Sequence, residues 1–348
     1  MNKTFPADQS FTIVKIASFV IIIAGMILAK SIIAPFLMAL FISIICAQPI
    51  YWLGKKGIPR GLAVLIVVLG ILLVFIGLGY LVGGTISSFT TNAPKYQDSL
   101  NSMTDGFMDF LKSNGINITK DQLPKMLDTS KILGFTVQAI NQVVSMMGNA
   151  FLVFLTILFM LMELSSISDK VKAVFKGPDE SIGYITKIIE SIRHYLGIKT
   201  IISVITGILI YIALTIIGLD YAILWGVIAA LLNYIPNIGS IIAAVPALLF
   251  ALVQLGPGSA VWTLVSFLLV NNILGNFVEP RIMGRGLGLS TLVVFLSLIF
   301  WGFVLGTVGM FLSVPLTITL KIILEQNEKT RWIAILLGTS KDVELKKN

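Results

Sequence analysis

The stretch "NYIPNIG", Asn233 to Gly239, interrupts an apolar run with two asparagines, a tyrosine, a proline and a glycine. Pro236 cannot donate to a helical ladder, and Gly239 permits a tight reversal of the chain. Two readings follow. Either two helical arms meet here and turn back, or a single proline-kinked helix passes through and its asparagines bond to neighbouring helices. The choice decides the fold.

Composition sets the frame. A chain of 348 residues with 56% hydrophobic content, 12% charge and a mean hydropathy of +0.96 has more apolar surface than a soluble core can hide. Its apolar runs are about 20 residues long and rich in Ile, Leu, Val and Phe, which suits membrane helices rather than the alternating pattern of a barrel. The expected fold class is an all-α integral membrane protein with about eight membrane segments.

Several function classes fall away. Cys46, the one cysteine, lies inside an apolar run, so no intramolecular disulfide forms and no thiolate metal site is expected. His194, the one histidine, follows Arg193 on a polar face without the partners that a zinc or general-base role requires. The net charge of +8 comes from basic residues beside membrane segments, where they anchor helices, so no nucleic-acid partner is expected. The chain has no G-x-x-x-x-G-K-[ST] loop, no H-E-x-x-H pair and no Ser, His and acid arrangement. The expectation is no enzyme, no catalytic residue, no metal and no cofactor.

Residues 1–167 are expected to form scaffold helices over about Phe11–Ala29, Ile32–Leu53, a third ending near Gly84, and Val143–Met162. Lys55, Lys56 and Arg60 make the loop after the second helix the most basic short loop of the first half, which places that loop and the N-terminus in the cytoplasm. The polar section 87–131 is then extracytoplasmic. In it Leu100, Met103, Phe107, Phe110 and Leu111 recur at helical spacing, as in an amphipathic helix. Residues 168–199, with Ile182, Ile185, Ile188, Ile189 and Ile192 on one stripe, read as an in-plane helix at the inner surface. A transport unit over 200–325 and a cytoplasmic tail over 326–348 complete the division.

Within the transport unit the sequence repeats weakly. Setting Gly218 on Gly288 brings Gly239 onto Gly309 and Pro246 within one position of Pro315. If each interrupted stretch crossed once, Arg281 and Arg285 would lie outside; if each turns back, they lie inside with the basic tail, as the positive-inside rule prefers. The result is an inverted repeat of two re-entrant or broken-helix hairpins, with tips at "NYIPNIG" and at "WGFVLGTVG", Trp301 to Gly309. Half-length arms would leave backbone groups unpaired in mid-membrane, which a polar, solute-lined cavity tolerates.

That reading nominates Asn233, Tyr234, Asn237 and Ser240 as solute-binding residues between the tips, joined by Asn272 and Asn276. Pro236, Gly239, Pro246, Pro280, Gly284, Gly306, Gly309 and Pro315 are the tips and hinges. Asn272, Asn276 and Glu279 fall three and four apart, one polar stripe near the end of a membrane helix. Glu279 either ligates a cation, exchanges a proton, or pairs with Arg281 or Arg285. Asp220 reads as a cap at a helix start.

With these residues in view, the sequence resembles the AI-2E transporter family, also called UPF0118, over about Ile16 to Ile323. The motifs that carry the resemblance are "LLNYIPNIGSIIAAVP", "NNILGNFVEPRIMGRGLGLSTLVV" and "WGFVLGTVGMFLSVPL". The resemblance implies movement of a small solute or ion through the bacterial cytoplasmic membrane and homo-oligomeric assembly, with a pentamer as one form. It also implies activities such as autoinducer-2 export, which fits quorum sensing, or sodium (lithium)/proton antiport. A non-transporting membrane scaffold is the third alternative.

The topology can be checked directly. On a Cys46→Ala background, cysteines placed at Arg285 and Thr330 should both label from the cytoplasmic side. Labelling of position 285 from outside would rule out the paired hairpins.

Overall fold

The computed structural model describes residues 7–114, 134, 138, 150–174, 180–236, 238–283 and 288–339, and among them every regular element is helical. In chain order these are α1 (Ala7–Leu28), α2 (Lys30–Lys55), α3 (Arg60–Ser113), α4 (Ala150–Val174), α5 (Glu180–Ile217), α6 (Ala222–Leu232), α7 (Gly239–Leu255) and α8 (Pro257–Asn271). A π-helical segment (Asn272–Val278), α9 (Glu279–Met283), α10 (Thr291–Leu305), α11 (Thr307–Glu325) and α12 (Arg331–Leu337) follow. Five described helices are long and apolar enough to cross a membrane: Lys30–Lys55, Arg60–Thr85, Gly183–Ile217, Pro257–Met283 and Thr307–Glu325. Large apolar side chains such as Leu28, Tyr80 and Ile216 lie more than four-fifths exposed, as lipid-facing residues do.

Two expected boundaries are absent. α3 does not end near Gly84 but runs on through 54 residues to Ser113, so the first part of the polar section continues the membrane helix. Composition changes there, but the backbone ladder does not depend on which side chains meet lipid. Most of the rest of section 87–131, and the start of the expected fourth helix, lie outside the described residues. The in-plane element is likewise no separate helix: α5 is continuous over 38 residues from Glu180 to Ile217. Its isoleucine stripe persists into the apolar run, and no proline interrupts it.

The chain forms two compact units. The first comprises Met1–Trp52, Leu152–Arg193 and Leu287–Asn348; the second comprises Leu53–Phe151 and His194–Gly286.

In the second unit α7 packs against both α6 and α8, and α3 packs on α6 and α7. The core is Trp225, Phe250 and Tyr96 with Ile210, Leu214 and small residues such as Ala243, Ala247 and Ala251. Small residues let helices approach closely where lipid supplies no hydrophobic drive for packing. α5 comes close to α6, where a Cβ on either Gly207 or Gly226 would come within 2.7 Å of the other's carbonyl oxygen.

In the first unit α10 and α11 lie against each other, α1 packs on α10 and α12 on α11. One residue, Gly306, joins α10 to α11, with φ 69° and ψ −149°, a conformation open to glycine and strained for other residues. Val304 and Leu305 are buried beside Ala34. Ser290 caps α10 by accepting from the Val293 amide, and its own N–H donates to the Leu337 carbonyl of α12.

The arms are less uniform than half-helices would be. α6, with 11 residues, is about 16 Å long, close to half of a hydrocarbon core of about 30 Å. α11 has 19 residues and is long enough to span. Pro246 and Pro315 lie inside α7 and α11 rather than ending them.

Both hairpins close on a glycine. A Cβ on Gly239 would sit 1.8 Å from the Leu232 carbonyl oxygen, and one on Gly309 would sit 1.9 Å from that of Trp301. Gly239→Ala and Gly309→Ala should therefore each part their two arms and cost about 3 kcal/mol or more. Gly70→Ala, with nothing within 4 Å of the new Cβ, should be neutral or stabilising by up to about 1 kcal/mol. Thermal unfolding in detergent distinguishes the two classes.

Candidate functional site

A group of polar residues lies on one face of α5. Ser203 stands four residues after Lys199 and three after Thr200, so it shares a face with each of them. Their partners come from two other parts of the second unit, the tip between α6 and α7 and the start of α9. The Asn233 amide donates to Ser203 Oγ at 3.0 Å in a buried bond. The Tyr234 hydroxyl donates to Thr200 Oγ1 at 2.8 Å, and Thr200 in turn donates to the Leu196 carbonyl at 2.7 Å. Lys199 Nζ donates to both carboxylate oxygens of Glu279, each at 2.9 Å. The side chains of this ion pair are 5% and 15% exposed. One wall beside it is apolar, formed by Ile198, Ile202 and Leu274 with Val270, Val278 and Met283.

Among the described residues the charged partner of Glu279 is Lys199, 80 residues earlier in the chain, rather than the expected Arg281; Arg285 lies outside the described residues. Lys199 had the signature of one more basic residue at the inner surface; it is instead only 4% exposed. A lysine followed at once by threonine, and by serine four residues on, inside an otherwise apolar helix was the available signal.

The tip "NYIPNIG" also differs in detail. The amides of Asn233, Tyr234, Ile235, Ile238 and Gly239 all donate to carbonyls within the hairpin, those of Ala229, Leu231, Leu232, Pro236 and Ile235. The turn thus satisfies its own donors, and the expected supply of unpaired amides is absent at these positions. Short-range turns achieve this because Pro236 supplies no N–H that would need a partner. Asn237 lies outside the described residues, as does Gly284. Ser240 is the second residue of α7 and half-buried.

Asn272 and Asn276 do not join this cluster. Asn276 donates to Asn272 Oδ1 at 2.8 Å, Asn272 donates to the Leu268 carbonyl at 2.9 Å, and both are exposed. The α-helical stripe assumed for them is replaced by a π-helical segment, whose i→i+5 bonds place one more residue in each turn. Pro280, in the first turn of α9, gives a reason. In an α-helix its ring would meet the carbonyl of Asn276 four residues back, and a wider turn relieves that clash.

Asp220 is no helix cap, since the residue before α6 is Tyr221 and makes no side-chain cap bond. The Asp220 carboxylate accepts from the Tyr96 hydroxyl at 3.1 Å, and its N–H donates to Gln254. Burial, then hydrogen bonds to Tyr221 and Asp220, hold the Tyr96 phenol well above the usual tyrosine range, so it stays neutral and donates. Among the described residues no three His, Cys, Asp or Glu side chains stand together to hold a metal.

A profile of the AI-2E family transporters matches residues 16–329. The chain belongs to the AI-2E transporter family. It is 41% identical over 326 residues to the AI-2 transport protein TqsA of Escherichia coli K12, covering 94% of this chain and 95% of that one. A relative from Haemophilus influenzae, whose name carries no solute, is 39% identical over 337 residues, 95% of this chain and 97% of its own. YrrI of Bacillus subtilis is 26% identical over 315 residues, covering 85% and 86%. Membership of the AI-2E family makes this chain a multi-pass membrane transport protein and not an enzyme.

Breaking the ion pair on one side strands a charge away from water. Lys199→Met and Glu279→Gln should each destabilise the protein by about 3–5 kcal/mol, while the double variant, which leaves no charge behind, should cost less than either. Melting temperatures of the four proteins test this.

Proposed function

We propose that the chain is a secondary transporter that exports a small hydroxylated solute of the autoinducer-2 kind across the bacterial cytoplasmic membrane by alternating access. The observation that carries this reading is the polar face of α5 with its partners: Asn233 on Ser203, Tyr234 on Thr200 and Glu279 on Lys199. Polar and ionisable groups in membrane helices are costly and mark solute and ion paths. Hydroxyl and carboxamide groups at the tip suit a solute rich in hydroxyls, and TqsA, a 41% identical relative, is named for AI-2 transport.

The hairpins α6–α7 and α10–α11 act as two copies of one device with inverted topology. Three parallels support the repeat. Gly218 and Gly288, which open the copies, both have positive φ, 84° and 66°. Gly239 and Gly309 both press on a carbonyl of the preceding arm. A side chain from the far end of each second arm returns to the opening glycine: Gln254 Nε2 donates to the Gly218 carbonyl, and Lys321 Nζ to that of Gly288. In this reading Asn233, Tyr234, Asn237 and Ser240 contact the solute, Asn272 and Asn276 line its approach, both termini are cytoplasmic and the chain works as a homo-oligomer. An elevator-like stroke of the transport unit is one form the cycle takes.

A second reading, cation/proton exchange at Glu279, has one observation in its favour. The Glu279 carboxylate already grips a cation with both oxygens, the ammonium of Lys199.

Reconstituted flux separates the readings. Autoinducer-2 efflux from proteoliposomes should fall about tenfold in Asn233→Ala, where the buried bond to Ser203 is lost, and sodium addition should release no protons. Sodium-triggered proton release that disappears in Glu279→Gln would establish the exchanger instead. No flux of either kind would favour a scaffold.

A further inference from the structure

Glu279 stands at the junction of two backbone geometries. Its own N–H closes the last π turn by donating to the Leu274 carbonyl, five residues back. Its carboxylate holds Lys199. The orientation of that carboxylate therefore depends on a backbone segment with a second setting. A π turn carries one residue more than an α turn, so resetting the segment to α geometry would rotate everything after it by about 100°, the angle each residue sweeps in an α-helix. That rotation carries Glu279 off α5.

We infer that Lys199 and the π segment Asn272–Val278 are the positioning parts for Glu279: the segment is a joint with two registers, and the ion pair latches it in the one seen here. This rests on the transporter reading for its purpose, since a carboxylate that leaves and regains its partner gives each transport cycle a discrete internal step.

Three features favour a joint over a fixed strut. The segment is the one π-helical run among the described residues, and such runs are usually short and functional. The polar side chains on it, Asn272 and Asn276, bond to each other and to the turn before, so among the described residues rotation breaks no further side-chain hydrogen bond to α5. The contacts to α5 beside the pair are apolar: Leu274 and Val278 against Ile198 and Ile202. Apolar contacts are non-directional and tolerate sliding, so the directional hold on the register is the pair itself. Titratable groups near it among the described residues include Tyr195, one turn earlier on α5 and within electrostatic reach of Glu279, Tyr234, whose hydroxyl is on Thr200, and Arg281, two residues along the chain.

Cross-linking in membranes tests this without any solute. With Cys46→Ala, Ile202→Cys and Val278→Cys report whether the far end of the π segment faces α5. The parent pair should cross-link readily with a short bifunctional thiol reagent. Adding Lys199→Met should lower the yield at least threefold, and the exchanged pair Lys199→Glu with Glu279→Lys should restore it to within about a third of the parent. Deleting Ile273 removes the extra residue and lets the segment run as α without turning Val278 away. The yield should then stay within about a third of the parent even when Lys199→Met is added, and a drop as large as in Lys199→Met alone overturns the joint. A variant that elutes as aggregate is set aside, and the Lys199→Met comparison then carries the test.

Unchanged yield in Lys199→Met, or no recovery on exchanging the charges, overturns the latch, because a merely structural ion pair lowers melting temperature without releasing the register. Autoinducer-2 and sodium flux are measured on the parent in parallel. The expected cross-linking pattern with no flux leaves the joint standing and removes the transport reading; normal flux with an insensitive cross-link does the reverse.

Discussion

Hydrocarbon offers no hydrogen bonds, and this chain is arranged around that constraint. Every backbone N–H taken into lipid must find an acceptor within the protein, so a helix can be broken there only where the break supplies its own partners. Both hairpins meet the requirement by closeness. At the first tip successive amides turn back onto carbonyls one turn away, and Gly239 lets α7 start against the Leu232 carbonyl. At the second a single glycine reverses the chain, and Gly309 comes equally close to Trp301. A methyl group at either glycine would fill the space through which the arms touch.

Because the backbone is settled locally, side chains are released for other work. Asn233 and Tyr234 do not mend the broken helix; they reach across to α5 and meet Ser203 and Thr200. The same face of α5 carries Lys199, so three polar links from two segments, the tip and the start of α9, converge within about one helical turn. This concentration is what makes the second unit the place to look for chemistry in an otherwise apolar molecule. The charge on that face is balanced: the lysine and the glutamate satisfy one another, and neither is left alone in a medium where an isolated charge would be prohibitive.

The mismatches between pattern and structure share a cause. Spacing rules assume one period, and a stripe at three and four residues holds only while the helix is α. Pro280 forces a wider turn upstream, so Asn272 and Asn276 separate from Glu279, which turns to Lys199. Composition rules assume that a change from apolar to polar ends an element, yet α3 crosses such a change intact. Charge rules place lysines at the surface, and Lys199 obeys only until a carboxylate from a distant segment makes burial tolerable.

The sequence by itself determined the class of molecule. Long apolar runs dictate helices in lipid, whatever their packing, and the proline and glycine content of "NYIPNIG" dictates a break between Leu232 and Gly239. The glycine-bearing interruptions at Gly239 and at Gly306 were legible too, since a residue without a side chain in an apolar run points to a turn or a close approach. Only the tertiary structure decided which polar groups meet. Hydrogen bonds such as Asn233 to Ser203 and ion pairs such as Lys199 to Glu279 join residues 30 and 80 positions apart. Such pairs depend on how whole helices are turned toward one another, and no local period in a chain encodes that angle.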